Sequence, residues 1–232
     1  MDTDTSRRRF LAYFDGLCEP KNPGGVAAYG FAVYREPEVE GVYDAALYEE
    51  SGVLAAGKKA TNNLAEYGAC GRAMGWLVDN LPEARGEGVV IRGDSQLVIR
   101  QLSGEWSVGS PAIRPLYERA AELRRSLAAG DARPELEWVP REENEAADAL
   151  SVAAYVEHQE AGRRERAEGI RIEWVADGYY RAFGSSGSYE IRKGLDGNRS
   201  TCSCTDFDML NRGRIYVRCK HLLAFEERMG VA

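Results

Sequence analysis

The segment Phe10-Leu11-Ala12-Tyr13-Phe14-Asp15-Gly16 is an apolar run that stops at an acid and then a glycine, and Val89-Val90-Ile91-Arg92-Gly93-Asp94 repeats the pattern. Short runs of this kind, rich in aromatic and β-branched residues, read as core strands. A carboxylate at the end of a core strand is costly unless a cation compensates it. The two runs therefore demand both a buried sheet and a reason for acids at its edge. Glu66 and Asp148, each placed to line one helix face, complete a set of four acids able to hold two divalent metal ions.

The order of elements supports a mixed α/β sheet. Strands are expected over residues 9–15, 26–35 and 42–56, punctuated by Pro23-Gly24-Gly25 and Gly41. Thr61-Asn62-Asn63 caps a helix whose apolar positions Leu64, Tyr67, Cys70, Ala73 and Leu77 recur at helical spacing, ending near Asn80-Leu81-Pro82. A strand over 88–94, a short helix through Leu102, a longer one opened by Ser110-Pro111, a strand at Leu136–Val139 and a helix capped by Asn144 and carrying Asp148 follow. Three strands and then alternating helices and strands give a mixed sheet with helices packed on it. The domains expected are 8–156 for this unit, a charged linker or helix extension over 157–169, and a small α+β module over 170–232 with strands near 170–175, 178–183 and 187–193 and a helix over 219–229.

Charge is divided between the two ends. Residues 1–154 carry 17 Lys and Arg against 25 Asp and Glu, residues 155–232 carry 13 against 12, and residues 181–221 carry 8 against 4. The acidic front argues against a general nucleic-acid coat, and the tail is locally basic. With no run near the ~18 to 20 apolar residues of a membrane span and no secretory h-region at the start, the expectation is a soluble cytoplasmic protein with no membrane partner, its activity compatible with the nucleoid.

Hydrolysis of a phosphodiester needs an activated water and a stabilised leaving oxygen, and two hard metal ions bound by carboxylates supply both without histidine. The chain has only His158 and His221. Asp15-Gly16 with Asn22-Pro23-Gly24-Gly25, then Thr61-Asn62-Asn63-Leu64-Ala65-Glu66, Gly93-Asp94-Ser95-Gln96 and Asn144-Glu145-Ala146-Ala147-Asp148 resemble, in order, the four motifs of type 1 ribonuclease H. The resemblance covers residues 9 to 155. It implies a five-stranded mixed sheet and an endoribonuclease that cuts the RNA strand of RNA/DNA hybrids, leaving 5′-phosphate and 3′-hydroxyl ends. Double-stranded RNA and RNA–DNA junctions stay open as further substrates.

The resemblance further implies that Asp15, Glu66, Asp94 and Asp148 ligate two Mg²⁺ or Mn²⁺ ions. It implies that Asn22, Asn63 and Gln96 contact the hybrid in its minor groove, with the backbone near Gly16 and Glu66 close to a 2′-hydroxyl; Asn62, beside Asn63, is a further candidate substrate contact. Many relatives carry a histidine in the loop before the last acid; here that loop reads Val139-Pro140-Arg141-Glu142-Glu143. The chain is thus more similar to the archaeal-type subgroup, in which Arg141 would contact the phosphate. A ribonuclease H fold that has lost catalysis and only binds, or another nuclease on the same fold, remains an alternative. Proofreading exonucleases usually show Asp-x-Glu where this chain has Asp15-Gly16-Leu17.

The five cysteines, an odd number, argue against a disulfide framework. Cys18 and Cys70 read as core residues. Cys202-Ser203-Cys204 and, after fourteen intervening residues, Cys219-Lys220-His221 supply three thiolates and one imidazole, a full tetrahedral set for one structural Zn²⁺. A unit of about sixty residues buries little apolar surface, so a metal staple is expected. The pattern resembles the SWIM zinc finger, which implies binding of nucleic acid or of a protein partner; Arg199, Arg212, Arg218 and their neighbours, with Tyr179, Tyr180, Tyr189 and Tyr216 interleaved, suit phosphate contact and stacking.

Overall fold

In the computed structural model, which describes residues 9–36, 45–80, 88–130, 132, 134–195 and 198–230, the first apolar run forms β1 (Phe10–Glu19). It pairs antiparallel along its whole length with β2 (Val26–Arg35), which pairs antiparallel with β3 (Tyr48–Ala56). On its other side β1 runs parallel to β4 (Val89–Gly93), and β4 to β5 (Pro134–Trp138), giving the sheet order β3-β2-β1-β4-β5. β1 reaches past the expected 9–15 because β2 continues to pair with it as far as Glu19. The parallel pairing with β4 stops earlier, at Phe14 and Gly93. Asp15 and Asp94 are therefore the first residues beyond the paired ends of two parallel strands, the end of an α/β sheet where ligands bind. Expected positions 8, 42–44, 81 and 82 lie outside the described residues.

Alternation along β1 divides its side chains between two layers. Phe10, Ala12 and Phe14 join Tyr29, Phe31, Val89 and Ile91 in the main core beneath α1 (Asn62–Asn80), α2 (Gln96–Leu102) and α3 (Arg114–Ala129). Leu11 and Tyr13 face the other way, onto Val90 and Ala147 of α4 (Glu145–Ala167). Each fully buried Phe14, Phe31, Met74, Leu77 or Ile91 contributes roughly 1.5–3 kcal/mol. Cys70 also lies in this core, and Cys18 is buried nearby with Ala27, Ala60 and Ala65. α1 starts where expected: Leu64 N–H donates to Thr61 Oγ1 at 3.1 Å, and Asn62 N–H donates to Asn22 Oδ1 at 3.0 Å.

The chain divides into two compact units, residues 1–155 and 156–232, the division falling within α4. Residues 157–167 of the charged stretch are helical. In the second unit β6 (Arg171–Ala176), β7 (Tyr179–Gly184), β8 (Gly187–Arg192) and the short β9 (Thr201–Cys202) form an antiparallel sheet in that order. α5 (Thr205–Leu210) and α6 (Lys220–Met229) follow. Tyr180, Ala182, Ile191, Cys202, Leu222 and Phe225 make its core. Glu160 is 1% exposed, and Arg218 holds it through Nε at 2.8 Å and Nη2 at 2.6 Å. Burial alone would push the Glu160 carboxyl up, but Arg218's hydrogen bonds and charge hold it below its ordinary value. Arg218 also binds Glu226, so its charge is spent internally and does not stand free for phosphate as the basic run implied, whereas Arg212 stays exposed, paired only on the surface with Asp208; Tyr180 is buried against Phe225. Among the described residues no helix is long and apolar enough to cross a membrane.

Candidate active site and metal centre

Asp15 lies on the face of β1 that looks toward α4, and its partner across the strand pair is Gly30. A Cβ at Gly30 would stand 2.5 Å from Ser151 N and 2.6 Å from Ala147 O, so only glycine lets α4 lie this close to the sheet. That approach brings Ser151 Oγ to 2.5 Å from Asp15 Oδ2, and α4 carries Asp148 on the turn before. Burial, and the charges of Asp94 and Asp148, push the Asp15 carboxyl up to about 6 despite the Ser151 hydrogen bond and Arg141, which favour the ionised form.

The opposite face holds Glu66 by the same device. A Cβ at Gly16 would stand 2.2 Å from Ala65 C and 2.3 Å from Glu66 N, so β1 touches the first turn of α1 main chain to main chain. Glu66 accepts from Asn62 Nδ2 at 2.7 Å and from Ser95 Oγ. Ser95 also caps α2, accepting from Val98 N–H at 3.4 Å. Burial, with the Asp15 and Asp94 charges, lifts Glu66 to about 7 against those two hydrogen bonds.

Asn144 ties the remaining acids in. Its side chain turns inward, away from a helix-capping role: Oδ1 has no hydrogen-bond partner among the described residues, and Nδ2 donates to Phe14 O at 2.9 Å and Asp94 Oδ1 at 3.3 Å, linking β1, where its pairing with β4 stops, to the acid after β4. Asp94 and Asp148 are half-buried, and Asp148 accepts from the exposed Arg141. Trp138 Nε1 donates to the main-chain oxygen of Asp94 at 3.0 Å. Of the predicted substrate contacts, Gly16 is buried, Asn62 and Asn63 are half-buried, and Asn22 and Gln96 are exposed. Ser95, Ser151 and Trp138 are the site neighbours that sequence reasoning missed; Ser95 could have been found beside Asp94, while Ser151 has no local signal.

These donors suit hard divalent cations. All are oxygens, and among the described residues the hydrogen bonds to Asp15 and Glu66 come from hydroxyl and amide groups, leaving carboxylate charge that Mg²⁺ or Mn²⁺ would satisfy. Among the described residues the four acids form no set as tight as the sulfur site below.

Cys202, Cys204, Cys219 and His221 are all buried, with ligand atoms all within 4.8 Å of one another. Nδ1 of His221 lies 3.8 Å from Cys202 Sγ and 3.9 Å from Cys219 Sγ, and Nε2 is buried without a hydrogen-bond partner. Cys204 sits at the N-cap of α5, where its Sγ accepts from Phe207 N–H at 3.3 Å, and Cys219 sits at the N-cap of α6. Separations near 3.8 Å match sulfur and nitrogen arranged tetrahedrally about Zn²⁺ with Zn–S near 2.3 Å. None of the five cysteines, all among the described residues, is in a disulfide.

A family model described as reverse transcriptase-like matches residues 44–154. The curated ribonuclease HI of Halobacterium salinarum is 39% identical over 150 residues, covering 62% of this chain and 62% of that protein. The crystal structure of RNase H1 from the same halophilic archaeon aligns at 34% identity and a TM-score of 0.50, over 63% of this chain and 96% of that one. The chain belongs to the type 1 ribonuclease H family. LC11-RNase H1, whose crystal structure is in complex with an RNA/DNA hybrid, matches at 27% identity and a TM-score of 0.53, over 65% of this chain and 99% of that one. This type 1 ribonuclease H chain spans under two thirds of the curated Halobacterium relative's own length, at 62%.

Proposed function

We propose that the first unit hydrolyses the RNA strand of RNA/DNA hybrids, leaving 5′-phosphate and 3′-hydroxyl ends, with Asp15, Glu66, Asp94 and Asp148 holding two Mg²⁺ or Mn²⁺ ions. The reading is carried by the placement of Asp15 and Asp94 just beyond the paired ends of β1 and β4, with Ser151 holding Asp15 beside the turn that bears Asp148, Asn144 tying Asp94 to β1, and Ser95 and Asn62 holding Glu66. The hybrid-bound LC11-RNase H1 relative supports the substrate. Bound there, the ions would activate water and offset charge on the leaving oxygen. The chain's own groups do the rest: Ser151 and Ser95 orient Asp15 and Glu66, and Asn144 fixes Asp94 against β1. Asn22, Asn62, Asn63 and Gln96 offer amides, donor and acceptor at once, to the minor groove and the 2′-hydroxyl that separates RNA from DNA. Arg141 exchanges Asp148 for a substrate phosphate.

The second unit, on this reading, is a SWIM-like module folded around one Zn²⁺ on Cys202, Cys204, Cys219 and His221, and it aids binding of nucleic acid or a partner. Asp94→Asn tests the catalytic assignment: Mg²⁺-dependent cleavage of a hybrid should vanish while circular dichroism is unchanged. Full activity in that variant would remove Asp94 from the site.

A further inference from the structure

Trp138 combines two features that the hydrolytic site does not explain. Its indole is 41% exposed, and its one polar group is already spent on the main-chain oxygen of Asp94 at 3.0 Å. It ends β5 opposite Gly93, two residues after Leu136, which packs on the main core. By strand alternation its ring is on the face of the sheet carrying α2, the helix that opens with Ser95 and the exposed Gln96. Large aromatic surface left bare beside catalytic groups, with its polar handle tied down, is preorganised to receive an apolar surface.

We propose that Trp138 is a substrate-contact residue whose ring receives a sugar of the hybrid next to the scissile phosphate. In a duplex the bases are stacked inside and the sugar–phosphate edge faces outward, so a ring at this rim meets a sugar's apolar face. The phosphate on one side of that sugar reaches the carboxylates; its hydroxyl edge reaches the amides of Gln96 and the asparagines. The hydrogen bond to Asp94 fixes the ring relative to the site, so contact with Trp138 sets the register of the cleaved strand.

The proposal rests on the hybrid-hydrolase reading, and the test separates the two. Wild type, Trp138→Phe and Trp138→Ala are compared on a defined RNA/DNA hybrid with Mg²⁺, with KM and kcat read separately. Phe keeps a ring and loses the indole hydrogen bond; Ala loses both. The expected result is a KM near wild type for Trp138→Phe and a rise of roughly tenfold for Trp138→Ala, from the apolar area of half an indole. Trp138→Leu, with bulk but no aromatic ring, replaces Trp138→Ala should the alanine variant lose its fold. Wild-type cleavage with KM unmoved in every variant overturns the role of Trp138 alone, as does an equal fall of kcat in Phe and Ala variants with KM constant, which would make the indole only a brace for Asp94. Absence of hybrid cleavage by the wild-type chain overturns the hydrolase reading and this proposal together.

Discussion

Ser151 Oγ donates to Asp15 Oδ2 at 2.5 Å while the main-chain oxygen of Asp148 lies 2.9 Å from the same hydroxyl. One side chain thus joins the acid of β1 to the turn that carries the acid of α4. The bond favours ionised Asp15, opposing burial.

Replacing Ser151 by Ala should raise the Asp15 carboxyl further above about 6. The acid limb of the pH–activity profile should move to higher pH. A hydrogen bond to a charged group is worth about 1.5–3 kcal/mol, so half-maximal activity should need about tenfold more Mg²⁺ near neutral pH. Profiles that superimpose on wild type would show that Ser151 does not support the site.

Stability of the magnesium-free protein should fall as pH rises. Asp15 at about 6 and Glu66 at about 7 both stand above their reference values of 3.8 and 4.5, so the fold favours their protonated forms. That contribution is complete below the unfolded values and is lost as pH climbs through the folded ones. Melting in magnesium-free buffer should drop between about pH 4 and pH 7, and Asp15→Asn with Glu66→Gln should flatten the curve. Magnesium should restore wild type at neutral pH and leave the double variant unmoved.

Gly30→Ala should harm activity more than its single methyl implies. Its Cβ would lie 2.5 Å from Ser151 N, so α4 must move. Overpacking of this kind costs about 1–3 kcal/mol, and a displaced carboxylate should lower kcat by about 10²-fold. Kinetics and melting on the same preparation decide it; a wild-type kcat would mean the helix absorbs the methyl without moving Asp148.

In the second unit, Arg218→Met should destabilise by about 3–5 kcal/mol, because it leaves the buried Glu160 carboxylate to the more distant and exposed Arg164, at 3.5 Å. Glu160 is 1% exposed and takes two short bonds from that guanidinium. Adding Glu160→Leu should recover most of the loss, measured by urea unfolding. A double variant no better than the single one would argue against a stranded charge.

Metal analysis of the full chain should find one zinc, and Cys219→Ser should lose it together with second-unit structure in far-UV circular dichroism. Hybrid cleavage should survive in that variant, since the first unit has its own core. Loss of zinc with no structural change would remove the stapling role.

Asp15 and Asp94 were legible because an acid after an apolar run breaks a local pattern, and Cys202, Cys204, Cys219 and His221 because ligand spacing does. Gly30 and Ser151 were not: their meaning comes from strand register and from a helix more than a hundred residues away. Glu160 was hidden for a different reason. It sits among exposed charges, and a buried carboxylate looks like any other until the arginine that neutralises it, 58 positions on, is in place. For the same reason Arg218 counted as part of a basic patch when its charge is spent internally.

Gly16 and Gly30 place main chain against main chain on both sides of Asp15. A spacing set by side chains breathes with their rotamers; one set by two hydrogens has no rotamer to change. Redesign toward another cation or nucleic acid therefore has latitude at Ser95, Ser151 and Trp138, the adjustable fittings around the carboxylates. The gauge of the cleft itself, where strand meets helix, offers none.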